Sequence, residues 1–190
     1  MAFTTSATRW PARARPQTGL SGVVAGASIA AVTDVTTRPM EQSEFDDWQR
    51  TLAQEFADAQ VAAGVWTEEE ALDRALEGNR SLLPDGLDTR HMILLRGVLA
   101  DGTPVGRLWI GLTHPRGVAG CAFLYDIQVD PEFRGRGLGR ALLAAAEATA
   151  RDHGATHLEL NVFGDNPAAI GLYSTAGFQV VTQQMRKRLA

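Results

Sequence analysis

The segment with the clearest chemistry lies between residues 134 and 140, where glycines and arginines surround one leucine. It consists of Arg134, Gly135, Arg136, Gly137, Leu138, Gly139 and Arg140. An apolar segment typical of a buried strand precedes it, and a segment with helical periodicity follows it. The first N–H groups of a helix lack intrahelical acceptors and attract anions, and glycine lets the backbone approach them closely. The run, with its added positive charge, therefore predicts a site for a phosphorylated ligand, preferentially a diphosphate.

The sequence does not match two common nucleotide-binding motifs. The spacing of Gly135, Gly137 and Gly139 misses the G-x-G-x-x-G of dinucleotide folds. A Walker loop needs Gly-Lys-Ser/Thr, and Lys187 is the chain's only lysine. The remaining alternative is a glycine-rich corner between strand and helix that binds nothing.

Two motifs together resemble the GNAT superfamily of N-acetyltransferases. The first is Arg134-x-x-Gly137-x-Gly139 after a strand that ends in Ile127, Val129, Asp130 and Pro131. The second comprises Asn166-Pro167-Ala168-Ala169, Leu172-Tyr173 and Gly177-Phe178. The likeness covers residues 32–189 in element order and is specific to motifs over 121–180.

The resemblance implies an α/β fold with a central mixed, splayed sheet flanked by helices, and acetyl-CoA as acyl donor. Backbone N–H groups of residues 134–140 would surround the CoA diphosphate. The strand containing Ile127, Gln128 and Val129 would pair with the pantetheine arm, as a ligand added to a strand edge. The other expected cofactor contacts are Asn161, Asn166, Ala169 and Tyr173.

The implied reaction is direct attack of a primary amine on the thioester in a ternary complex. Tyr173 would donate a proton to the departing thiolate, unless it only packs its helix, and the main-chain N–H of Val129 would stabilise the oxyanion. Asn161 occupies the position similar to the family's glutamate and cannot act as a base. Asp126, Glu159 or water alone therefore remain as the proton acceptor. A non-catalytic acyl-CoA sensor and a transferase for longer acyl groups are the alternative functions.

The sequence does not identify the amine acceptor. A polyamine, an amino acid derivative, an antibiotic and a protein N-terminus are all compatible with it. Residues 41–77 hold 11 acids and two bases, which is typical of either a wall that attracts cationic amines or a solvated helix face. Trp48, Trp66 and Trp109 are candidates for the pocket or the core. The four histidines share no metal-ligand spacing and Cys121 is the only cysteine, so neither a metal nor an internal disulfide is expected.

These residues must be positioned by an alternation of helices and strands. Periodicity predicts strands at 33–38, 91–100, 105–113, 121–129, 157–163 and 178–189. A helix capped by Ser43 with Asp46, and a helix that begins at Thr67 and stops near Gly78, follow the first strand. Helices at 138–153 and 167–176 complete the order.

The 190-residue, 20.4-kDa chain has a net charge of −4, which disfavours nucleic acid as a partner. No run of 18 apolar residues occurs, so we expect no membrane partner and a cytoplasmic protein. Residues 1–31 are interpreted as an N-terminal extension and 32–190 as the acetyltransferase domain. A transit peptide, a weak secretion signal at 23–32 or a mis-set start codon are alternatives for the extension. A homodimer is expected from the family alone.

Overall fold

Five strands form one mixed sheet in the order β1-β2-β3-β4-β5. The computed structural model describes residues 34–187 and 189, so the predicted extension 1–31 and its alternatives lie outside the described residues. The strands are β1 Thr36–Pro39, β2 Met92–Val98, β3 Pro104–Gly111, β4 Cys121–Val129 and β5 His157–Leu160. The helices are α1 Gln42–Ala62, α2 Glu68–Leu82, α3 Leu138–Asp152 and α4 Pro167–Thr175. No helix in the described ranges is long and apolar enough to cross a membrane.

The sheet is antiparallel from β1 to β4, and β5 joins β4 in parallel. One face packs against α3 through a core that includes Leu108, Leu124 and Leu142. The other face packs against α1 through Trp48, Trp109 and Phe123. Strand side chains alternate between faces, so these two cores follow from the period of two along β3 and β4. The predicted mixed α/β class is confirmed.

The start of α1 differs from the prediction. Glu41, and not Ser43, is the N-cap, and it forms a capping box with Glu44 in place of the expected Asp46. Arg38 on β1 donates two hydrogen bonds of 2.8 Å to the Glu44 carboxylate, and these bonds lower the pKa of Glu44. The neighbouring strand therefore selects the cap, a contact that local sequence does not show.

The start of α2 was predicted correctly, because Thr67 and Glu70 form a reciprocal capping box there. The predicted stop near Gly78 is wrong, since the helix continues to Leu82. A glycine inside a helix costs only about 1 kcal/mol relative to alanine. The helix gains more from packing, because Ala71 and Ala75 are buried against Ala53 and Ala57 of α1.

The last predicted strand, residues 178–189, does not form in the described part of that segment. Residues 178–187 are neither helix nor strand, and Val180, Val181 and Met185 expose more than two-thirds of their surface. Strand preference mostly reflects packing on a sheet surface, which these side chains do not reach. The adjacent β5 also ends at Leu160 and not at residue 163, so the available sheet edge is short.

Candidate active site

A cleft of about 270 Å³ lies at the start of α3. Its lining consists of Val129, Phe133, Arg134, Gly135, Gly137, Leu138, Gly139, Arg140, Ala168 and Leu172. Gly137 is the N-cap of α3 with φ +82° and Gly135 has φ +78°, a region that side-chain-bearing residues avoid. The glycines thus let the turn present the helix N-terminus to the cleft, as an anion site requires. Six of the seven residues predicted to bind the diphosphate line this cleft, and Arg136 does not.

The arginine side chains of this turn form hydrogen bonds with residues around the cleft. Arg134 donates through Nε to the carbonyl of Val129 at 3.1 Å. Arg136 donates to the carbonyl of Glu132 and lies over the ring of Phe133. Arg140 donates to the hydroxyl of Thr175 at the end of α4, at 2.7 Å. The guanidinium groups therefore add positive charge while the backbone supplies the directed donors.

The predicted splay between β4 and β5 is present. Pairing runs from Cys121 opposite His157 to Leu124 opposite Leu160, whereas β4 continues to Val129 beside β3 alone. A register shift between β3 and β4 places Tyr125 as an extra residue at this point, and such bulges bend a strand away from its neighbour. The apex of the splay is therefore at Leu124 and Leu160.

Asp126 lies just past the apex on the α1 face, with no exposed surface. Its Oδ2 accepts hydrogen bonds from Arg107 Nε at 2.7 Å and Trp48 Nε1 at 3.2 Å. Its Oδ1 is buried and makes no hydrogen bond. Arg107 also contacts Glu55 on α1 at 3.1 Å. Burial lowers the pKa of Arg107, but the carboxylates of Asp126 and Glu55 outweigh it and raise the pKa overall.

Sequence reasoning missed Arg107 and Glu55 and treated Trp48 only as pocket or core. The available signal was a charged residue within the apolar 105–113 segment, because a buried charge needs a partner. That partner could not be named, since Asp126 and Glu55 come from other elements.

Tyr173 lies buried on α4, and its ring packs 5.8 Å from that of Phe178. Burial, followed by the negative charge of Asp126, raises the pKa of the Tyr173 hydroxyl well above its usual range. A tyrosine in this environment retains its proton at neutral pH and can donate it. Packing and a proton-donor role are thus compatible at this position.

Glu159 on β5 is opposite Phe123, so its side chain shares the α1 face of the sheet with Asp126. It exposes 18% of its side chain, in contrast to the fully buried Asp126. Arg116 forms an ion pair with its Oε1, and His114 Nε2 lies 3.4 Å from its Oε2. Both predicted carboxylates therefore flank the apex, and Glu159 alone is accessible to solvent.

Three other predicted cofactor contacts lie between the end of β5 and the first turn of α4. Asn166 caps α4, and its side chain accepts a 3.1 Å hydrogen bond from the backbone of Ala169. Asn161 follows β5 and is half-buried. The expected cofactor contacts of Asn161, Asn166 and Ala169 stay predictions.

The predicted acceptor wall has mixed character. Trp48 and Trp109 are buried and meet edge to face at 5.4 Å, so they belong to the core. Trp66 packs against Phe56 and is half-buried. The acids Asp47 and Glu70 form exposed pairs with arginines on their own helices.

Comparisons with known proteins agree with this geometry. The model of the acetyltransferase (GNAT) family matches residues 41–178. The N-acetyltransferase YdgE of Bacillus subtilis is 31% identical over 81% of this chain and 98% of its own length. YycN of the same organism is 35% identical over 80% of this chain and 96% of its own.

The crystal structure of YycN, described as a putative acetyltransferase, superposes on this chain with a TM-score of 0.76 at 34% identity. The superposition covers 82% of this chain and 99% of YycN. The aminoglycoside N-acetyltransferase AAC(6')-Iy in complex with CoA shares the fold at 19% identity, with a TM-score of 0.54 over 82% of this chain and 94% of that one. The N-acetyltransferase names of YdgE and YycN favour an enzyme over a non-catalytic sensor. The chain belongs to the GNAT family of acetyltransferases and is an acyltransferase enzyme.

Proposed function

We propose that the enzyme transfers an acetyl group from acetyl-CoA to a primary amine by direct attack. The observation that carries this proposal is the cleft at the Gly137-capped start of α3, beside the splay of β4 and β5. The diphosphate binds the N-terminus of α3, and the pantetheine amides pair with the edge of β4 beyond Leu124. In this arrangement the thioester lies towards the apex at Leu124 and Leu160, which Asp126 and Glu159 flank.

Glu159 is the proposed proton acceptor. An alkyl ammonium has a pKa near 10.4, so its deprotonation at pH 7 costs about 4.6 kcal/mol. A base that accepts this proton is therefore needed. Asp126 has no exposed surface and already shares Oδ2 with Arg107 and Trp48. Glu159 shares the same sheet face and is partly open to solvent, so an acceptor amine can reach it.

Tyr173 is the proposed proton donor to the thiolate. Burial, followed by the negative charge of Asp126, raises the pKa of its hydroxyl, so the group carries its proton before the reaction begins. The main-chain N–H of Val129 remains the proposed oxyanion donor, because it lies on β4 beyond the apex.

The decisive experiment measures free thiol release from acetyl-CoA with a panel of polyamines, amino acid derivatives, aminoglycosides and peptide N-termini. We expect turnover with at least one amine class, about 100-fold or more slower in Glu159→Gln, within the usual range for a general base. Glu147→Gln on α3 is the matched control and should retain the wild-type rate.

Competing acetyl-, propionyl- and succinyl-CoA in the same assay identifies the acyl donor. Preference for a longer acyl group would overturn the acetyl assignment. Wild-type turnover by Glu159→Gln would assign proton removal to water or Asp126.

A further inference from the structure

His114, in the loop between β3 and β4, has a side chain with no exposed surface. Its Nδ1 accepts a 3.1 Å hydrogen bond from the backbone N–H of Arg116, and its ring packs edge to face on Phe123 at 5.3 Å. In a neutral imidazole one nitrogen accepts and the other carries the proton. The Arg116 amide therefore selects the tautomer with hydrogen on Nε2.

The hydrogen-bearing Nε2 lies beside the carboxylate of Glu159. Nε2 lies 3.4 Å from Glu159 Oε2 and is buried without a hydrogen bond of good geometry. A shift of a few tenths of an ångström would complete the bond. The guanidinium of Arg116 already holds the other oxygen, Oε1. His114 and Arg116, two residues apart in one loop, thus each lie against one oxygen of the carboxylate.

Cys121 completes a cluster in which ligand atoms of His114, Cys121 and Glu159 lie within 4.8 Å of one another. These residue types also occur in zinc sites. However, a metal-bound imidazole needs a lone pair on the ligating nitrogen, and it donates through the other. The Arg116 N–H on Nδ1 requires the lone pair on Nδ1 and the hydrogen on Nε2. A hydrogen bond from Nε2 to Glu159 therefore fits the cluster better than a bound metal.

We propose that His114 is a positioning residue for Glu159, an inference that rests on the proposed role of Glu159. His114 and Arg116 together restrict rotation of the carboxylate, so that it keeps one orientation towards the acceptor amine. As the new C–N bond forms, the amine proton passes to Glu159, which later returns it to solvent. The His114 ring does not exchange a proton in this step, because Nε2 donates throughout.

The test compares two amides at one position. His114→Asn keeps an acceptor near Nδ1 for the Arg116 N–H but is too short to donate to Glu159. His114→Gln extends an NH2 group to the place of Nε2–H. We expect His114→Asn to lower kcat about 10-fold or more, the scale of a hydrogen bond to a charged group, with KM for acetyl-CoA unchanged. His114→Gln should recover most of the loss, and His153→Gln at the C-cap of α3 is the control without effect.

A double-mutant cycle separates this inference from the proposed function. In the Glu159→Gln background, His114→Asn should cause little further loss, because its effect acts through that carboxylate. An equal loss in both backgrounds, a change in KM alone, or a slow His114→Gln variant with a wild-type unfolding midpoint would overturn the positioning role. If Glu159→Gln is slow while His114→Asn is unimpaired, the inference fails and the proposed function stands. A fast Glu159→Gln variant would remove the base assignment itself.

Discussion

Asp126 connects two functions through one carboxylate. Oδ2 bonds to Arg107 and Trp48, which anchors the strand to α1. The same negative charge contributes to the raised pKa of Tyr173 on the opposite wall of the splay. The carboxylate therefore links the packing of α1 on the sheet to the environment of the Tyr173 hydroxyl.

The first prediction concerns Tyr173. Tyr173→Phe should lower kcat about 100-fold while KM for acetyl-CoA stays unchanged, because only proton donation to the thiolate is lost. Since the pKa of Tyr173 is raised, the wild-type rate should show no decline from tyrosine ionisation between about pH 6 and pH 10.

Steady-state thiol release across that pH range measures both effects. Ser174→Ala removes an exposed hydroxyl from the same helix and should behave as wild type. Full turnover by Tyr173→Phe would show that the tyrosine only packs α4.

At the scale of residues, the sequence was informative where chemistry is encoded locally. The glycine–arginine turn, Tyr173 and both carboxylates were named as candidates from local motifs and the family resemblance, and their roles stay predictions. Arg107, Glu55 and His114 were not assigned roles, because each acts through a partner on another element. Side-chain networks of this kind depend on strand register, which a single sequence does not specify.

The start of a helix was predictable where residues close in sequence determine it. Elements that depend on contacts with other strands or helices were not. The start of α2 was predicted at Thr67, and the Thr67–Glu70 capping box seen there is contained within four residues. The start of α1 depends on Arg38 from β1 and was misplaced. The segment 178–187 has strand-forming residues but no packed sheet surface, so its pattern predicted a strand that does not form.

The second prediction concerns the start of α3. Gly137→Asp should abolish measurable acetyl-CoA binding, because it places a negative charge and a side chain at the helix N-terminus where the diphosphate binds. The left-handed backbone at φ +82° adds about 1–2 kcal/mol of folding cost.

Calorimetric titration gives the affinity, and urea unfolding gives the stability. Gly164→Asp is the matched control, because a Cβ there also meets open space and its φ is not in the left-handed region. Retained acetyl-CoA affinity in Gly137→Asp would remove the diphosphate assignment.

The distribution of charge over the whole molecule bears on acceptor choice. Residues 41–77 carry 11 acids against two bases, and they span α1, the connection that follows it and most of α2. An acidic surface raises the local concentration of cations, and salt screens that effect. Exposed pairs such as Asp47 with Arg50 leave most of this surface negative.

The third prediction follows from that surface. KM for a cationic amine should rise between about 0.1 M and 1 M salt, where the Debye length falls from roughly 10 Å to 3 Å. The value of kcat should change little, because the screened interactions act on encounter. A weakly basic aromatic amine, neutral at assay pH, is the control. Equal salt dependence for both amines would assign the acidic residues to a solvated face alone.

The indole of Trp48 donates directly to Asp126 and meets Trp109, whose ring stacks on Tyr125 at 4.6 Å. Because indole emission responds to nearby fields and to polar partners of its N–H, Trp48 is an intrinsic fluorescent probe of the proposed reaction centre. Events at the thioester should therefore change the emission of Trp48 without any attached dye.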